Sequence, residues 1–321
     1  MESSNATLHL RLTAIRHESD GVLSFEFRNP AGDCLPEFAA GAHIDVHLPN
    51  GMVRSYSLCN SSAERHRYVI AVARDPKSRG GSAAMHDSLR VGQFLQIGQP
   101  RNHFPLDESA DRTLLIAGGI GITPMWCMLQ RLVALGHDWQ LIYAARARQN
   151  AAFLGELQRL ARAHPEKVCF HFDQEQGQFN LPTALEGRLD GGTHVYCCGP
   201  LPMLKAFEEL TAKHPEGQVH LEYFQAKDAP VAAAGVEIEL ARSKKILTVP
   251  RDRTILDAVL EAGIDVPFSC MEGICGSCEV TVLEGEPDHG DSVLSDQQKR
   301  TNKTMMLCCS GAKSSRLVLD L

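Results

Sequence analysis

The stretch Ser269-Cys-Met-Glu-Gly-Ile-Cys-Gly-Ser-Cys278, answered further on by Met305-Met-Leu-Cys-Cys309, decides how the C-terminal part of this chain folds. Its C-x4-C-x2-C…C spacing lets one tight loop bring three thiolates to two irons, the ligand pattern of a plant-type [2Fe-2S] cluster. Gly273 and Gly276 permit the close turn. The strand-like Glu279-Val-Thr-Val-Leu and then the apolar run at Met305 carry the chain back, so on spacing alone the fourth ligand is Cys308 or Cys309. Tetrahedral zinc is the rival for four thiolates, but structural zinc favours paired short C-x2-4-C knuckles, and this segment has one. Cys34, Cys127 and Cys169 read as buried small hydrophobes.

Working outward, 321 residues with 44% hydrophobic and 22% charged side chains suit a soluble protein of two or three domains. The N-terminus Met1-Glu-Ser-Ser-Asn-Ala has no basic region and no apolar core, and no apolar run reaches membrane-spanning length. A cytoplasmic location is therefore expected. Eleven cysteines, with the adjacent pair Cys197-Cys198, make a poor disulfide framework and fit a reducing compartment. A net charge of −7 argues against nucleic acid as partner. With no coiled-coil heptads, a monomer is expected.

The chain changes texture twice before the cysteine loop. The first hundred or so residues alternate apolar and polar positions between turns, as in His9-Leu-Arg-Leu-Thr, Val22-Leu-Ser-Phe-Glu-Phe and Tyr68-Val-Ile-Ala-Val, which reads as a small antiparallel β-barrel. From about Asp111, buried strands alternate with helices. Thr113-Leu-Leu-Ile-Ala is followed by a helix through Arg131, then Gln140-Leu-Ile-Tyr-Ala and a helix from Ala151, with further strands at Val168 to Phe172 and His194 to Cys198. That is a parallel α/β sheet. Ala226-Lys-Asp-Ala-Pro-Val-Ala-Ala-Ala-Gly reads as an extended linker. The expected domains are 1–106, a flavin-binding barrel; 107–227, a nicotinamide-binding sheet; 228–235, the linker; and 236–321, a β-grasp ferredoxin module.

Within the barrel, Arg54-Ser-Tyr-Ser57 places a cation, a ring and a hydroxyl along one strand. Arg54 suits a flavin phosphate or ribityl group, Tyr56 the ring system and Ser57 the N5 edge. Ser78-Arg-Gly-Gly-Ser-Ala-Ala-Met-His86 is a glycine turn entering a helix, where backbone amides bind phosphate. Ala117-Gly-Gly-Ile-Gly-Ile-Thr-Pro-Met125 follows a buried strand, and Gly118, Gly119 and Gly121 allow close approach to a pyrophosphate. Thr123 is expected to cap the ensuing helix, with Pro124 in its first turn. Tyr196-Cys-Cys-Gly-Pro-Leu-Pro-Met203 ends a strand at the carboxyl edge, with Cys198, Gly199 and Pro200 near the nicotinamide. Arg146 and Arg148 either face an adenosine 2′-phosphate or are solvated, Asp173 either meets a ribose hydroxyl or lies on the surface, and His86 and His289 read as surface or capping residues.

With Arg54-x-Tyr-Ser, Gly118-Gly-Ile-Gly-Ile-Thr-Pro, Cys198-Gly-Pro and the cluster cysteines in this order, the whole chain resembles the phthalate dioxygenase reductase family, and vanillate O-demethylase reductases look like near relatives. The resemblance implies FMN, with Arg54, Tyr56 and Ser57 at the flavin and Gly80, Gly81 and Ser82 at its phosphate. It implies NADH as donor and Phe224 against the flavin ring. Aligning Leu307-Cys-Cys-Ser-Gly-Ala-Lys-Ser with the family pattern implies Cys308 as fourth ligand, Cys309 replacing an apolar residue. The implied activity is electron transfer from NADH through FMN and [2Fe-2S] to a Rieske-type oxygenase of an aromatic acid or ether. A haem monooxygenase or amine oxygenase as acceptor, or a redox-sensing carrier without sustained turnover, are the alternatives. The docking face is expected on the cluster loop, where Glu272 and Glu279 meet a basic partner.

Overall fold

The computed structural model describes residues 7–76, 79–215, 217–227 and 229–321. Two compact units divide the chain, Met1–Glu222 and Tyr223–Leu321.

The first unit begins with β1 (Thr7–Ser19), β2 (Val22–Arg28), β3 (His43–His47), β4 (Val53–Ser57), β5 (Tyr68–Ala73) and β6 (Phe94–Gly98), with helix α1 (Gly81–Ser88) before the last of them. The strand order is β4-β3-β6-β1-β2-β5, all antiparallel. A bridge between Leu58 and Ile70 brings the two end strands together and closes the expected barrel. Alternation produces its interior: Leu10, Leu12, Phe25, Phe27, Ile44 and Val46 are buried from successive strands.

Five parallel strands follow in the same unit: β7 (Arg112–Gly118), β8 (Asp138–Ala145), β9 (Val168–Phe172), β10 (Thr193–Cys198) and β11 (Val219–Glu222). Around them run α2 (Ile122–Leu135), α3 (Leu154–Ala163), α4 (Asp173–Gln176), α5 (Leu181–Leu185) and α6 (Leu201–Thr211). The order β11-β10-β7-β8-β9 reverses direction between β7 and β10, which makes their carboxyl ends the place where open α/β sheets take ligands. Leu114, Leu115, Ile116 and Ala117 are buried in an unbroken run because helices cover both faces. In α2, Ile122, Met125, Leu129 and Leu132 recur at helical spacing on the buried side. That helix differs from expectation at its start. Gly121 is the N-cap, and the Thr123 hydroxyl, one residue inside the helix, donates to the Ile120 carbonyl at 3.0 Å instead of capping. The helix runs past Arg131 to Leu135 and stops at Gly136, φ 70°. Helix α3 starts at Leu154 rather than Ala151, after Phe153 at φ 57°. The barrel and sheet are tied by the Asp107 N–H, which donates to the Tyr196 hydroxyl at 2.8 Å, and by Gln130 Nε2, which donates to the Cys59 carbonyl at 2.9 Å.

In the second unit, β12 (Glu237–Leu240), β13 (Lys245–Thr248), β14 (Glu279–Glu284), β16 (Thr304–Met306) and β18 (Arg316–Leu319) form a mixed sheet ordered β13-β12-β18-β14-β16. A small ladder pairs β15 (Pro287–Asp288) with β17 (Gly311–Ala312). Helix α7 (Ile255–Glu261) starts at a capping box between Thr254 and Asp257, and α8 (Asp296–Thr301) at another between Ser295 and Gln298. Ile255, Leu256 and Val259 of α7 pack with Ile238, Leu240, Leu317 and Leu319 in one core, which is the β-grasp arrangement. The segment read as linker is partly built into this unit. Val231 N–H donates to the Cys309 carbonyl at 2.8 Å, and Ala233 is buried in the core.

Candidate functional site

Two motifs that are separate in sequence meet on the barrel. Arg54, on β4, lies across the start of α1, where a Cβ on Gly81 would stand 2.8 Å from its Nε. Gly80 holds φ 106°, a left-handed conformation that glycine adopts without strain and that turns the chain into the helix. The result is a guanidinium beside a helix N-terminus, two features that both attract an anion. The Asp75 N–H donates to the Ser82 hydroxyl at 3.2 Å. Ser78, the first residue of that motif, lies outside the described residues. Tyr56 is half-buried, and burial pushes its phenol up to about 12 although Arg54 pulls the other way, so the ring stays neutral. Behind the strand, Ser55 donates to Asp45 Oδ1 at 2.6 Å and Arg101 meets Asp45 Oδ2 at 2.8 Å, which fixes the height of β4. A phosphate beside Arg54 and Gly81 and a flat ring beside Tyr56 and Ser57 fit this surface.

At the sheet's switch point two turns interlock. A Cβ on Gly118 would meet Pro200 Cδ at 2.6 Å, one on Gly199 would meet the Met203 sulfur at 2.7 Å, and one on Gly121 would fall inside the van der Waals radius of the Cys198 carbonyl. Glycine is therefore a packing requirement at Gly121, against backbone, and at Gly118, against the proline ring, whereas at Gly199 the flexible Met203 side chain can give way. Gly119 meets nothing within 4 Å but holds φ 55°. Their open side is a place where backbone can approach a pyrophosphate closely.

Register then supplies a residue that sequence reading missed. Cys198 pairs with Ala117 on one side and Glu222 on the other, and Ser57 donates from the barrel to Glu222 Oε2 at 3.5 Å. Burial pushes the Glu222 carboxyl up to about 8, the Ser57 hydrogen bond acting against it. Cys198 is fully buried, and that burial, then Glu222, drives its thiol far above the usual range. A serine hydroxyl, an un-ionised thiol and a carboxyl that titrates near neutrality thus converge from β4, β10 and β11. Such a carboxyl can hold or release a proton near pH 7 while adding no fixed charge below its titration. The signal was weak: β11 is only Val219-His-Leu-Glu222, and its acid matters because of which strand lies beside it. Phe224 follows two residues later, half-buried in the opening segment of the second unit.

Of the nucleotide-specificity candidates, Arg148 is taken up by Glu175, donating Nε to Oε1 at 2.7 Å and Nη2 to Oε2 at 3.0 Å. Asp173 opens α4, its Oδ1 accepting from the Phe179 N–H at 3.0 Å. Cys34 and Cys169, expected inside, are exposed, because alternation turns Cys169 of the edge strand β9 outward and Cys34 sits in a loop; Cys127 is buried as expected.

In the second unit, Cys270, Cys275 and Cys278 lie on the loop before β14, and Cys308 follows β16. All four are buried. The four thiols lie near enough to perturb one another's ionisation, Cys275 and Cys308 acting on Cys270, and Cys308 on Cys278. Backbone amides turn inward on them: the Glu272 N–H points at Cys270 Sγ from 3.3 Å, and the Cys270 N–H at Cys275 Sγ from 3.4 Å. Converging thiols ringed by N–H donors fit an anionic iron–sulfur group. Gly273 and Gly276 hold φ 69° and 70° as the tight turn requires. Met271 does so at φ 57° without being glycine, a strained position that spacing did not reveal. Cys309 is buried under Gly273, where any Cβ would collide with its sulfur. His289, read as surface or cap, has a side chain only 8% exposed.

Comparison with known proteins agrees with this division. Residues 115–209 match the oxidoreductase NAD-binding domain model, and residues 238–313 match the 2Fe-2S iron-sulfur cluster binding domain model. Phenoxybenzoate dioxygenase subunit beta of Ectopseudomonas oleovorans is 50% identical over 98% of both chains. Among solved structures, an intact type IV self-sufficient cytochrome P450 monooxygenase superposes with a TM-score of 0.89 at 40% identity; the alignment covers 98% of this chain but 41% of that one. Phthalate dioxygenase reductase, described as a modular structure for electron transfer from pyridine nucleotides to [2Fe-2S], gives a TM-score of 0.73 at 39% identity over 99% and 98% of the two chains. Relatives that run the full length, with barrel, sheet and cysteine loop in the same order, place this chain in the phthalate dioxygenase reductase family, whose members are NADH-dependent flavin and iron–sulfur oxidoreductases.

Proposed function

We propose that this reductase component delivers its electrons to a Rieske-type oxygenase acting on an aromatic acid or ether. The observation that carries the internal mechanism is the convergence of Ser57, Cys198 and Glu222 where the barrel meets the switch point of the sheet. The bound cofactors supply conversion of a two-electron hydride into single electrons. The chain does the rest. Arg54 and the α1 amides, with Gly80, Gly81 and Ser82, anchor FMN through its phosphate, while Tyr56 packs its ring and Ser57 fixes its edge. Gly118, Gly119, Gly121, Thr123 and Pro124 shape the turn that receives the NADH pyrophosphate, and Cys198-Gly199-Pro200 floors the nicotinamide. Glu222 holds or gives up the proton that accompanies reduction. Phe224 covers the flavin until nicotinamide enters. Cys270, Cys275, Cys278 and Cys308 hold the cluster.

Support for the acceptor class comes from relatives whose names describe oxygenase systems, among them one for a phenoxybenzoate, at once an aryl ether and an aromatic acid. Sequence adds an electrostatic reason: ten acidic residues and no Lys or Arg lie between Arg253 and Lys299, the segment that contains the cluster loop. Exposed Phe268 and Met271 flank Cys270 within it. An acceptor with a basic rim is steered to such a face. A haem acceptor is the second reading, favoured by the likeness to the P450 fusion. No helix among the described residues is long and apolar enough to cross a membrane, and we place the protein in the cytoplasm as a monomer with domains at 1–106, 107–227 and 236–321.

Anaerobic NADH titration, read by visible absorbance and low-temperature electron paramagnetic resonance with acid extraction of the flavin, tests the internal mechanism. Uptake of about three electrons per chain, a reduced [2Fe-2S] signal and released FMN are expected. A colourless protein holding zinc would overturn it. Reduction of a purified Rieske oxygenase, but not of a P450, separates the two acceptors.

A further inference from the structure

An extended dinucleotide must cross the sheet in a direction the strand order dictates. Its nicotinamide end is fixed beside Cys198 at β10 and its pyrophosphate beside the turn after β7, in the reading above on which this inference rests. Neighbouring strands are about 4.8 Å apart, so the adenosine half continues over the ends of β8 and β9. Arg148 stands just past β8 and Glu175, in α4, just past β9. They form a two-point ion pair, at 2.7 and 3.0 Å, and the Arg148 Cζ lies 4.5 Å from the Phe172 ring centroid. The Gln174 N–H donates to the Arg146 carbonyl at 3.0 Å, tying the two loops together, and Arg146 itself makes no ion pair among the described residues.

We propose that Glu175 sets the preference for NADH over NADPH by occupying, with its own carboxylate, the arginine fork that a 2′-phosphate needs. Carboxylate and phosphate present the same two-oxygen edge to a guanidinium, so they compete for Arg148. A neutral 2′-hydroxyl asks for no such partner and leaves the pair intact. A 2′-phosphate would have to break the Arg148–Glu175 bonds and then lie against the released carboxylate. The selectivity thus comes from an intramolecular mimic of the rejected group, together with like-charge repulsion.

The test compares Glu175→Gln, Arg148→Ala and the double variant, each purified with FMN and cluster absorbance intact, using NADH and NADPH as donors and 5′-AMP and 2′,5′-ADP as competitive inhibitors. Glu175→Gln should raise the ratio of kcat/KM for NADPH to that for NADH about tenfold and tighten 2′,5′-ADP inhibition in parallel, with 5′-AMP shifting far less. The double variant should lose that gain, because the freed fork is gone. An unchanged ratio in Glu175→Gln, or a gain that survives Arg148→Ala, would refute the proposal while leaving the site reading in place. Failure of 5′-AMP to compete with NADH in the unaltered protein would mean that adenosine does not lie over this edge, and would overturn both.

Discussion

The cysteine loop and the proposed hydride-transfer site are built on opposite plans. Three of the four cysteines proposed to hold the cluster fall within one short loop, and only Cys308 is brought from elsewhere. Ser57, Cys198 and Glu222 come from three strands of two sheets; the motifs around Ser57 and Cys198 each point to a cofactor, but nothing in the local sequence of Glu222 announces that it joins them. A local motif depends on spacing and on a few glycines. An assembled site depends on register, and a shift of one residue would turn each side chain to the other face.

The sharpest way to break this comparison is at the cysteines. Cys308→Ser should lose its two irons and the reduced cluster signal, with electron transfer to a protein acceptor falling at least about 100-fold, while NADH-to-ferricyanide turnover persists through the flavin. Iron analysis and electron paramagnetic resonance would show it. If Cys309 substitutes, the cluster persists with altered g-values, and the local motif is less exclusive than its spacing suggests.

Next in size is Gly121→Val, which pushes a side chain into the Cys198 carbonyl. Stability should fall by about 3 kcal/mol and kcat/KM for NADH by about 100-fold, because the two interlocked turns must part. Denaturant titration beside steady-state kinetics separates the effects.

Glu222→Gln should lower the hydride-transfer rate about tenfold or more and flatten its pH profile. In the unaltered protein the rate should fall as pH rises through about 8, where the carboxyl ionises. Stability follows the same direction. The folded carboxyl binds its proton more tightly than the unfolded one, so its ionisation costs the native state stability between the unfolded value of 4.5 and about 8. Thermal unfolding of the native protein should therefore worsen from pH 5 to 8 more than that of Glu222→Gln. A parallel decline in both would remove Glu222 from the site.

The smallest effect is expected for Cys309→Ala, which should keep both irons and cost about 1 kcal/mol for the lost buried sulfur. Loss of iron there would make Cys309 a ligand.

Legibility follows the same divide. The barrel, the parallel sheet and the cysteine module were readable because alternation, buried runs and fixed spacing are local quantities. Arg54 and the Gly80-Gly81 turn were each readable, but their contact was not. Glu222 was missed because β11 is short and its meaning lies in its neighbour strand. Thr123 looked like a cap from its residue type, yet the preceding 3₁₀ turn at Gly119–Gly121 already delivers the chain into the helix. The small-residue segment before β12 has linker composition, but small side chains also pack closely, as Ala233 does. Cys34 and Cys169 were placed inside on average behaviour, and position overrode it.

The exposure of those two cysteines has a practical side. Thiol-directed reagents react with accessible thiolates, so Cys34, in a loop of the barrel, and Cys169, on the edge of the parallel sheet, should be modified well before the buried nine. One dye or spin label on each would give a built-in ruler across the first unit. It would report whether the distance between barrel and sheet changes when nucleotide enters, without an engineered residue.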